Sequence, residues 1–359
     1  MQELEQRIDV TDAAGLGEPA HIAVTITLPD PARMPPVPFL CFAKPGGGYS
    51  RGYYTHDLPG PGTGAEAGWH AARGWIFVSV DHLGVGASSL HPGATLDFVR
   101  LARTAQAAES EIIRRLAEGT LADGFPAVHD TVRLGIGQSM GGCMTIVQQG
   151  RHHCYDGVGV LGYSAIHTSP YHHRADPSRM PWFGRDTLLS DPLTLLNPDA
   201  VAVSQANSTP GDGIGDRMMR NFHYDDVPDE VAVADLAHFN RPGHLQGDAH
   251  AGHQPAPWHS FTFPNPVAPA TLTPGIIAPE AAAIRVPVLA AYGERDVSRE
   301  AKDEPKAYFS SPAIDVFVCP RMGHMHNFAS TRELFWERID SWAEWVRAAR
   351  GAKLGQRRQ

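Results

Sequence analysis

The chain has 359 residues, and its 30 lysine and arginine residues against 39 aspartate and glutamate residues give a formal net charge of −9. Hydrophobic residues make up 42% and charged residues 19% of the chain, which is ordinary globular composition and excludes wholesale disorder. The acidic balance provides no electrostatic footprint for nucleic acid, and the short basic tail is too small to supply one. At roughly 150 residues per domain, the length predicts two units or one large domain with an insertion.

The amino terminus and the cysteines indicate a cytoplasmic protein without a membrane span. The first five residues, MQELE, are acidic where a signal peptide would be basic, and no apolar segment follows them. No stretch approaches the roughly 18 continuous apolar residues that a membrane helix needs. Cys41, Cys143, Cys154 and Cys319 lack metal-ligand spacing, as is typical of isolated thiols in a reducing compartment.

Apolar runs alternate with helical patterns in the first part of the chain, which predicts a mainly parallel sheet. Strands are predicted over residues 37–43 and 75–80, because each apolar run ends at a loop that contains glycine. The spacing of apolar residues predicts a long helix over 95–119. The next predicted elements are a strand over 131–137, a helix over 139–150 and a strand over 157–163.

Residues 166–283 differ from the rest of the chain in composition and in the pattern of predicted elements. They are rich in Pro, Gly and His and show no alternation of strands and helices, which predicts an insertion. The alternation then resumes with strands predicted over 286–292 and 313–319, and with a final helix over 331–349. The apolar face of this helix comprises Leu334, Phe335, Ile339, Trp342 and Val346. The predicted organisation is a core of residues 1–165 and 284–359 with an inserted region at 166–283.

Residues 137–141 have the sequence GQSMG and lie between a predicted strand and a predicted helix. In this context the pattern G-x-S-x-G is typical of a nucleophile elbow, in which a tight turn lifts the hydroxyl of Ser139 clear of the sheet. The first turn of the following helix offers free N–H groups and a positive dipole end for an oxyanion. Ser139 is therefore the candidate nucleophile.

A catalytic serine needs a base and an orienting acid, since its hydroxyl is a poor nucleophile near neutral pH. Asp296 and His324 each follow one of the last two predicted strands, which predicts that both lie at the carboxyl edge of the sheet. In this arrangement His324 removes the proton of Ser139, and Asp296 fixes the tautomer of the imidazole and stabilises its cation. Glu294 is an alternative acid and His326 an alternative base.

Four motifs carry a resemblance to a known family. They are the elbow, a Gly-x-x-Asp turn at 293–296, a Gly-His pair at 323–324 and the segment DHLGVGAS at 81–88. With them the chain resembles the α/β-hydrolase superfamily over roughly residues 20–165 and 284–350. The resemblance implies an α/β-hydrolase fold, with a mostly parallel central sheet flanked by helices and an inserted cap or lid at 166–283. The family patterns favour Asp296 and His324 as acid and base.

The resemblance also implies an oxyanion hole. One donor is the backbone N–H of the residue after the nucleophile, Met140, and the other comes from the loop after an early strand. That loop, PGGGY at 45–49, resembles the H-G-G-G sequence of the family with Pro45 in place of histidine. The alignment gives Gly47 as the second donor and Gly48 as its alternative. A glycine turn that only links a strand to a helix is the other interpretation.

The inserted region holds nine of the 19 histidines, so a metal site and hydrogen-bonded histidines are both conceivable. It has no H-E-x-x-H and no cysteine, and only His250 and His253 have close ligand-like spacing, which favours hydrogen-bonded or surface histidines. These patterns predict no metal site. No nucleotide-binding loop occurs in its required context, so no cofactor is expected either. Large apolar residues such as Trp182 and Trp258 predict a core for the cap, part of which lines an acyl or alcohol pocket.

Together these residues predict a serine hydrolase that cleaves a carboxylic ester, or a related acyl bond of a small molecule, through an acyl-enzyme intermediate. A serine at the elbow argues against epoxide hydrolase and haloalkane dehalogenase reactions, for which members of the resembled family use an aspartate. Thioesterase, amidase, carbon–carbon bond hydrolase, acyltransferase and lyase reactions are alternatives on the same triad. A ligand-sensing protein with slow turnover is an alternative of another class.

Overall fold

The computed structural model describes residues 1–166, 168, 221–237, 256–260, 262, 264, 267–298 and 300–356. One eight-stranded sheet organises this part of the chain. Its strands are β1 (Gln2–Asp9), β2 (His21–Leu28), β3 (Phe39–Lys44), β4 (Ile76–Val80), β5 (Val132–Gln138), β6 (Gly157–Leu161), β7 (Val288–Gly293) and β8 (Ile314–Cys319). They lie in the order β1-β2-β4-β3-β5-β6-β7-β8. β2 is antiparallel to both of its neighbours and all other neighbours are parallel, which confirms the mainly parallel sheet.

The sheet begins with an antiparallel pair that the apolar runs did not predict. β1 and β2 are aligned over their whole length, with Gln2 opposite Leu28 and Asp9 opposite His21. β2 is buried almost throughout, whereas β1 forms an edge of the sheet and exposes most of its side chains. Because an edge strand carries charged side chains on its open side, hydrophobicity is a weak signal for β1.

Helices flank the sheet on both faces. The helices of the described residues are α1 (Thr11–Ala14), α2 (Gly52–Thr55), α3 (Glu66–Ala71), α4 (Phe98–Glu118), α5 (Met140–His152), α6 (Asp229–Leu236), α7 (Val267–Ala270), α8 (Ala278–Ala283) and α9 (Arg332–Gln356). α4 begins after Asp97, whose side chain accepts a hydrogen bond from the backbone N–H of Arg100 at 2.7 Å. It ends at Gly119, which adopts the left-handed conformation that favours glycine. Residues 95–97 therefore precede this helix, and the predicted start was wrong.

Two cores lie on opposite faces of the sheet, because successive side chains of a strand point to opposite sides. In β3, Leu40 belongs to the core that includes Ile112 of α4. Its neighbour Cys41 belongs to the core that includes Phe335 and Trp342 of α9. The sheet is thereby covered by helices on both faces and positions the loops at its carboxyl edge.

The apolar face predicted for the last helix is correct except at one residue. Phe335, Ile339, Trp342 and Val346 of α9 are buried, whereas Leu334 is 43% exposed. Adjacent helical residues point about 100° apart, so Leu334 turns away from the sheet when Phe335 faces it.

The predicted inserted region lies between β6 and β7. Trp182 falls outside the described residues, as do all histidines of the region except His223 and His259. The division of the chain at 166 and 283 stays a prediction.

The four cysteines all lie in the described residues and form no disulfide there, and three of them are buried. Among the described residues, no helix is both long and apolar enough to cross a bilayer. The cytoplasmic location stays a prediction.

Candidate active site

Ser139 occupies the turn between β5 and α5, with φ 53° and ψ −121°. Residues other than glycine rarely adopt this positive φ, because the conformation costs roughly 1–3 kcal/mol. It persists only where the surrounding structure enforces it. The backbone N–H of Ser139 donates to the carbonyl of Leu161 at 2.7 Å, so the turn is tied to β6. Ser139 is partly exposed although both neighbours in sequence are buried. The geometry is the strand–turn–helix context that the sequence pattern predicted.

Two glycines of the G-x-S-x-G pattern are required by close approach of the backbone. A Cβ on Gly137 would lie 2.2 Å from the carbonyl carbon and oxygen of Gly141. A Cβ on Gly141 would lie 2.1 Å from the carbonyl oxygen of Lys44 in β3. Any larger residue at either position would therefore displace the turn that carries Ser139.

Asp296 and His324 meet at the carboxyl edge of the sheet, on the loops that follow β7 and β8. His324 Nδ1 lies 2.6 Å from Asp296 Oδ1, and both side chains are buried. The carboxylate of Asp296 also accepts hydrogen bonds from the backbone N–H groups of Gly293 at 2.8 Å and Val297 at 2.7 Å. Because the carboxylate of Asp296 accepts a hydrogen bond from Nδ1, the neutral ring carries its proton on Nδ1 and its lone pair on Nε2. This is the tautomer that a general base requires.

The alternative residues have different surroundings. His326 is buried, its Nε2 lies 3.0 Å from Asp296 Oδ2, and its ring centroid is 4.4 Å from that of Phe335. Glu294 is exposed, and its carboxylate accepts a hydrogen bond from the backbone N–H of Arg321 at 2.8 Å. The structure thus brings both histidines to Asp296 and leaves Glu294 on the surface.

Two opposing effects determine the protonation of this buried group. Burial by itself raises the pKa of the Asp296 carboxyl, but the charge and hydrogen bonds of His324 and His326 outweigh it and hold the pKa well below its ordinary value. Burial lowers the pKa of His326, against the opposing effect of the carboxylate. Asp296 is therefore an anion, and His326 favours the neutral form.

Gln138, which the sequence analysis did not single out, contacts the imidazole of His324. Its Nε2 lies 3.0 Å from the carbonyl oxygen of His324 and 3.2 Å from His324 Nε2. Because a carbonyl only accepts, the amide nitrogen faces His324 and donates to both atoms. In the described residues no hydrogen bond joins the hydroxyl of Ser139 to His324. The only sequence signal for Gln138 is its position immediately before Ser139.

Gly162 is a second residue that sequence reasoning missed. It follows β6 with φ +62°, and a Cβ there would lie 3.0 Å from His324 Nδ1 and 3.2 Å from Asp296 Oδ2. A side chain at this position would therefore crowd Asp296 and His324. Its signal in the sequence is a glycine at the end of a buried apolar run.

The glycine loop, residues 45–49, lies against the turn that carries Ser139. A Cβ on Gly46 would lie 3.0 Å from Ser139 Cβ, so this loop borders the nucleophile. The carbonyl of Pro45 accepts a hydrogen bond from His82 Nε2 at 3.0 Å, and burial lowers the pKa of His82 to about 4. A neutral histidine from the segment 81–88 thus fixes the loop. The roles of Gly47 and Met140 as oxyanion donors stay predictions.

The acidic residue of the segment 81–88 fixes the backbone that follows the glycine loop. Asp81 is buried and accepts hydrogen bonds from the backbone N–H of Arg51 at 2.6 Å and from Arg51 Nη1 at 2.7 Å. It also accepts one from the backbone N–H of Ala87 at 2.9 Å. This motif therefore has a structural task next to the candidate site.

The two described histidines of the inserted region are hydrogen-bonded. His223 and His259 both contact the carboxylate of Asp235. In the part of the chain that the structure describes, no group of three histidine, cysteine or acidic residues could hold a metal ion. The remaining seven histidines of the region lie outside the described residues.

The strand order, with the serine turn after β5 and the loops of Asp296 and His324 after β7 and β8, is that of the α/β-hydrolase fold. Solved structures confirm this fold across the chain. The proline iminopeptidase of Mycobacterium smegmatis superposes with a TM-score of 0.61 at 15% identity, covering 96% of this chain and 99% of that chain. A haloalkane dehalogenase variant from Bradyrhizobium elkanii gives a TM-score of 0.57 at 14% identity, with 98% of this chain and 100% of that chain covered.

A thermophilic esterase from Thermogutta terrifontis gives a TM-score of 0.53 at 16% identity, with 95% of this chain and 99% of that chain covered. No protein-family model and no curated protein matches the sequence. At these identities the similarity establishes the fold alone, because one fold supports many different reactions.

Proposed function

We propose that the protein is a serine hydrolase that cleaves a carboxylic ester, or a related acyl bond, through an acyl-enzyme intermediate. The observation that carries the proposal is a backbone-strained, partly exposed Ser139 on the same sheet edge as a buried His324–Asp296 pair. Strain of this kind is typical of functional sites, and an oriented histidine is the partner that a serine nucleophile requires.

In the proposed reaction His324 Nε2 accepts the proton of Ser139 as its oxygen attacks the acyl carbon. Asp296 stabilises the resulting imidazolium through the 2.6 Å contact with Nδ1. The N–H groups of Met140 and Gly47 donate to the oxyanion. The imidazolium then protonates the leaving alcohol. In the second half, His324 deprotonates a water molecule that attacks the acyl carbon, and the imidazolium returns the proton to the oxygen of Ser139 as the carboxylic acid leaves.

Gln138 adds one step to this sequence. Its amide nitrogen donates to the same His324 Nε2 lone pair that must accept the serine proton. The contact between Gln138 and His324 Nε2 therefore opens before acyl transfer, when substrate brings the serine hydroxyl into reach.

Carboxylic esters are the substrate class that we favour. An esterase and a peptidase both lie among the proteins of similar fold, and the same triad serves thioesters and amides. Cleavage of a carbon–carbon bond, acyl transfer and lyase reactions need the same nucleophile and base. Rates with a panel of esters, thioesters and amides that differ in chain length decide among these three hydrolytic classes.

The experiment that tests the proposal compares Ser139→Ala with Ser110→Ala, which alters an exposed serine on the outer side of α4. We expect Ser139→Ala to fold and to lose p-nitrophenyl ester turnover by roughly 10⁶-fold, and Ser110→Ala to behave as the wild type. A chelator is expected to leave the wild-type rate unchanged. Turnover retained by Ser139→Ala, or activity lost to a chelator and restored by Zn²⁺, would contradict the proposal.

The contact between Gln138 and His324 favours one second candidate. A base that is hydrogen-bonded to Gln138 suits a ligand-sensing protein of slow turnover, with the inserted region as its partner surface. Negligible turnover across the whole panel, together with capture of a partner only when ligand is present, would support the sensor. Fast turnover of simple esters would exclude it.

A further inference from the structure

A second buried carboxylate lies outside the proposed triad. Asp235, in α6, is 2% exposed. Its Oδ2 accepts the hydroxyl of Tyr49 at 2.7 Å and lies 2.9 Å from His223 Nε2, while its Oδ1 lies 2.9 Å from His259 Nε2. Burial by itself raises the pKa of the Asp235 carboxyl, but the hydrogen bonds and charges of the two histidines outweigh it and hold the pKa well below its ordinary value. These four residues are called the Asp235 cluster.

Two members of the cluster connect it to the glycine loop. Tyr49 is the residue directly after Gly48, and its backbone pairs with that of His259. The N–H of Ser260 donates to the carbonyl of Gly48 at 2.8 Å, and the N–H of Ser50 donates to the carbonyl of Trp258 at 2.8 Å. The loop that borders Ser139 is therefore held both by its backbone and by a side chain that reaches Asp235.

His223, the remaining donor of the cluster, connects it to the loop that carries the candidate base. His223 follows two residues whose carbonyls accept the backbone N–H groups of that loop. The N–H of His324 donates to the carbonyl of Asn221, and the N–H of Met325 donates to that of Phe222, both at 2.8 Å. The ring centroids of Phe222 and His324 are 4.7 Å apart. Asp235 therefore links both borders of the candidate site, although its carboxylate contacts neither Ser139 nor His324.

We propose, on the basis of the serine hydrolase function above, that Asp235 is a positioning residue that sets the glycine loop relative to the base. An oxyanion donor acts only at hydrogen-bond distance, and a displacement of about 1 Å near the reacting atoms costs roughly 10²-fold in rate. An ionised carboxylate that has three donors among the described residues is a strong constraint on the segments that carry those donors, because charged hydrogen bonds are shorter and stronger than neutral ones. The inserted region thereby contributes a residue on which the rate depends.

The test replaces Asp235 by asparagine, which keeps the size of the side chain but has one acceptor oxygen in place of two. We expect Asp235→Asn to lower kcat by roughly 10- to 100-fold while KM changes less than about threefold, because the oxyanion is stabilised only in the transition state. Tyr49→Phe removes a single hydroxyl and keeps the ring, so we expect a loss of about three- to tenfold in kcat with normal folding.

The matched control is Asp226→Asn, in the same described stretch of the inserted region. Asp226 Oδ2 accepts from Arg321 Nη2 at 2.9 Å and from Ser330 Oγ at 2.5 Å, away from the glycine loop. We expect this variant to retain wild-type kcat and KM. A loss of kcat in Asp226→Asn as large as in Asp235→Asn would overturn the proposal, since the effect would then be a general loss of structure.

A readout that needs no activity is amide hydrogen exchange of the peptide that covers residues 44–52, followed by mass spectrometry. We expect exchange to be faster in Asp235→Asn and Tyr49→Phe and unchanged in Asp226→Asn. Unchanged exchange in Asp235→Asn, or faster exchange with an unchanged kcat, would overturn the positioning role in an active enzyme. A wild type that turns over no ester would instead remove the proposed function, and with it the catalytic role of the cluster.

Discussion

Asp296 accepts hydrogen bonds from two histidines, and the proposed mechanism assigns one of them, His324, as the base. Both rings lie within hydrogen-bond distance of the carboxylate, but only His324 also faces the residue next to Ser139. The position of Asp296 and His324 was predictable, because the carboxyl ends of parallel strands meet at one edge of a sheet.

The contact between Gln138 and His324 was not predictable from the sequence. The two residues are 186 positions apart and share no motif. The same holds for Tyr49 and Asp235, which are also 186 positions apart. Local patterns determine where a strand ends, whereas contacts of this range depend on how whole segments pack.

The two histidines are distinguished by a matched pair of alanine variants. His324→Ala removes the proposed base and is expected to lower kcat by about 10⁴-fold or more. His326→Ala removes one of several donors to Asp296 and is expected to lower kcat by less than about tenfold, or about 1.4 kcal/mol in activation free energy. Steady-state kinetics with a simple ester is the measurement. The reverse order of severity would make His326 the base.

The strain at Ser139 is testable by stability. Its φ of 53° is in a region that glycine adopts freely, and alanine has the same strain as serine. We expect Ser139→Gly to be more stable than Ser139→Ala by roughly 1 kcal/mol in urea unfolding, although both lack activity. If Ser139→Gly unfolds at a lower urea concentration than Ser139→Ala with the same m-value, the turn is not strained.

At the scale of elements, the sequence predicted the buried parallel strands and the long helices better than it predicted the edge. β5 and α5 lie within two residues of the predicted bounds because a buried apolar run and a glycine-flanked turn are strong local signals. β1 was missed, because an exposed edge strand needs little hydrophobicity. Leu334 was placed on the wrong side of α9, because spacing alone does not show which of two adjacent apolar residues faces the sheet.

A buried glutamate makes the short helix between β7 and β8 sensitive to pH. Glu304 lies in a 3₁₀ helix (Ala301–Lys306). Its carboxylate accepts hydrogen bonds from the hydroxyl of Ser164 and from the backbone N–H of Ala165, the latter at 3.1 Å. Burial raises its pKa from 4.5 to about 7. The fold is therefore stabilised by a protonated Glu304 at low pH, and this contribution is lost as the pH rises from about 4.5 to about 7.

Glu304→Gln keeps a neutral side chain at every pH. We expect the free energy of unfolding of the wild type to fall relative to this variant between pH 4.5 and about 7, by at most about 3 kcal/mol. Urea unfolding across this range is the measurement, with Glu337→Gln, an exposed glutamate of α9, as the control. A constant difference between wild type and Glu304→Gln across the range would show that Glu304 is ionised throughout.

At the scale of the whole molecule, the inserted region contributes structure to the candidate site. Trp258 is half-buried, its ring centroid lies 6.3 Å from that of Phe328 and 6.4 Å from that of His56, and its carbonyl accepts from Ser50. The large apolar residues of the inserted region, such as Trp258, were evident in the sequence. Their partners were not predictable, because the region has no regular pattern.

We expect Trp258→Ala to change the preference among esters of different chain length more than it changes the rate with an acetyl ester, because large apolar residues of the inserted region are predicted to line an acyl or alcohol pocket. The ratio of kcat/KM values for long and short acyl chains is the measurement. A uniform loss of activity that follows a lowered Tm would make Trp258 a core residue of the inserted region.

The measurement that tests the central claim most directly is peptide mass spectrometry of the full chain after treatment with an organophosphonate. Such a compound mimics the tetrahedral intermediate and traps an activated serine. We predict a single stable adduct, located on Ser139, that is absent from Ser139→Ala and forms far more slowly in His324→Ala. The absence of any adduct in a wild type that cleaves esters, or an adduct on another residue, would contradict the account.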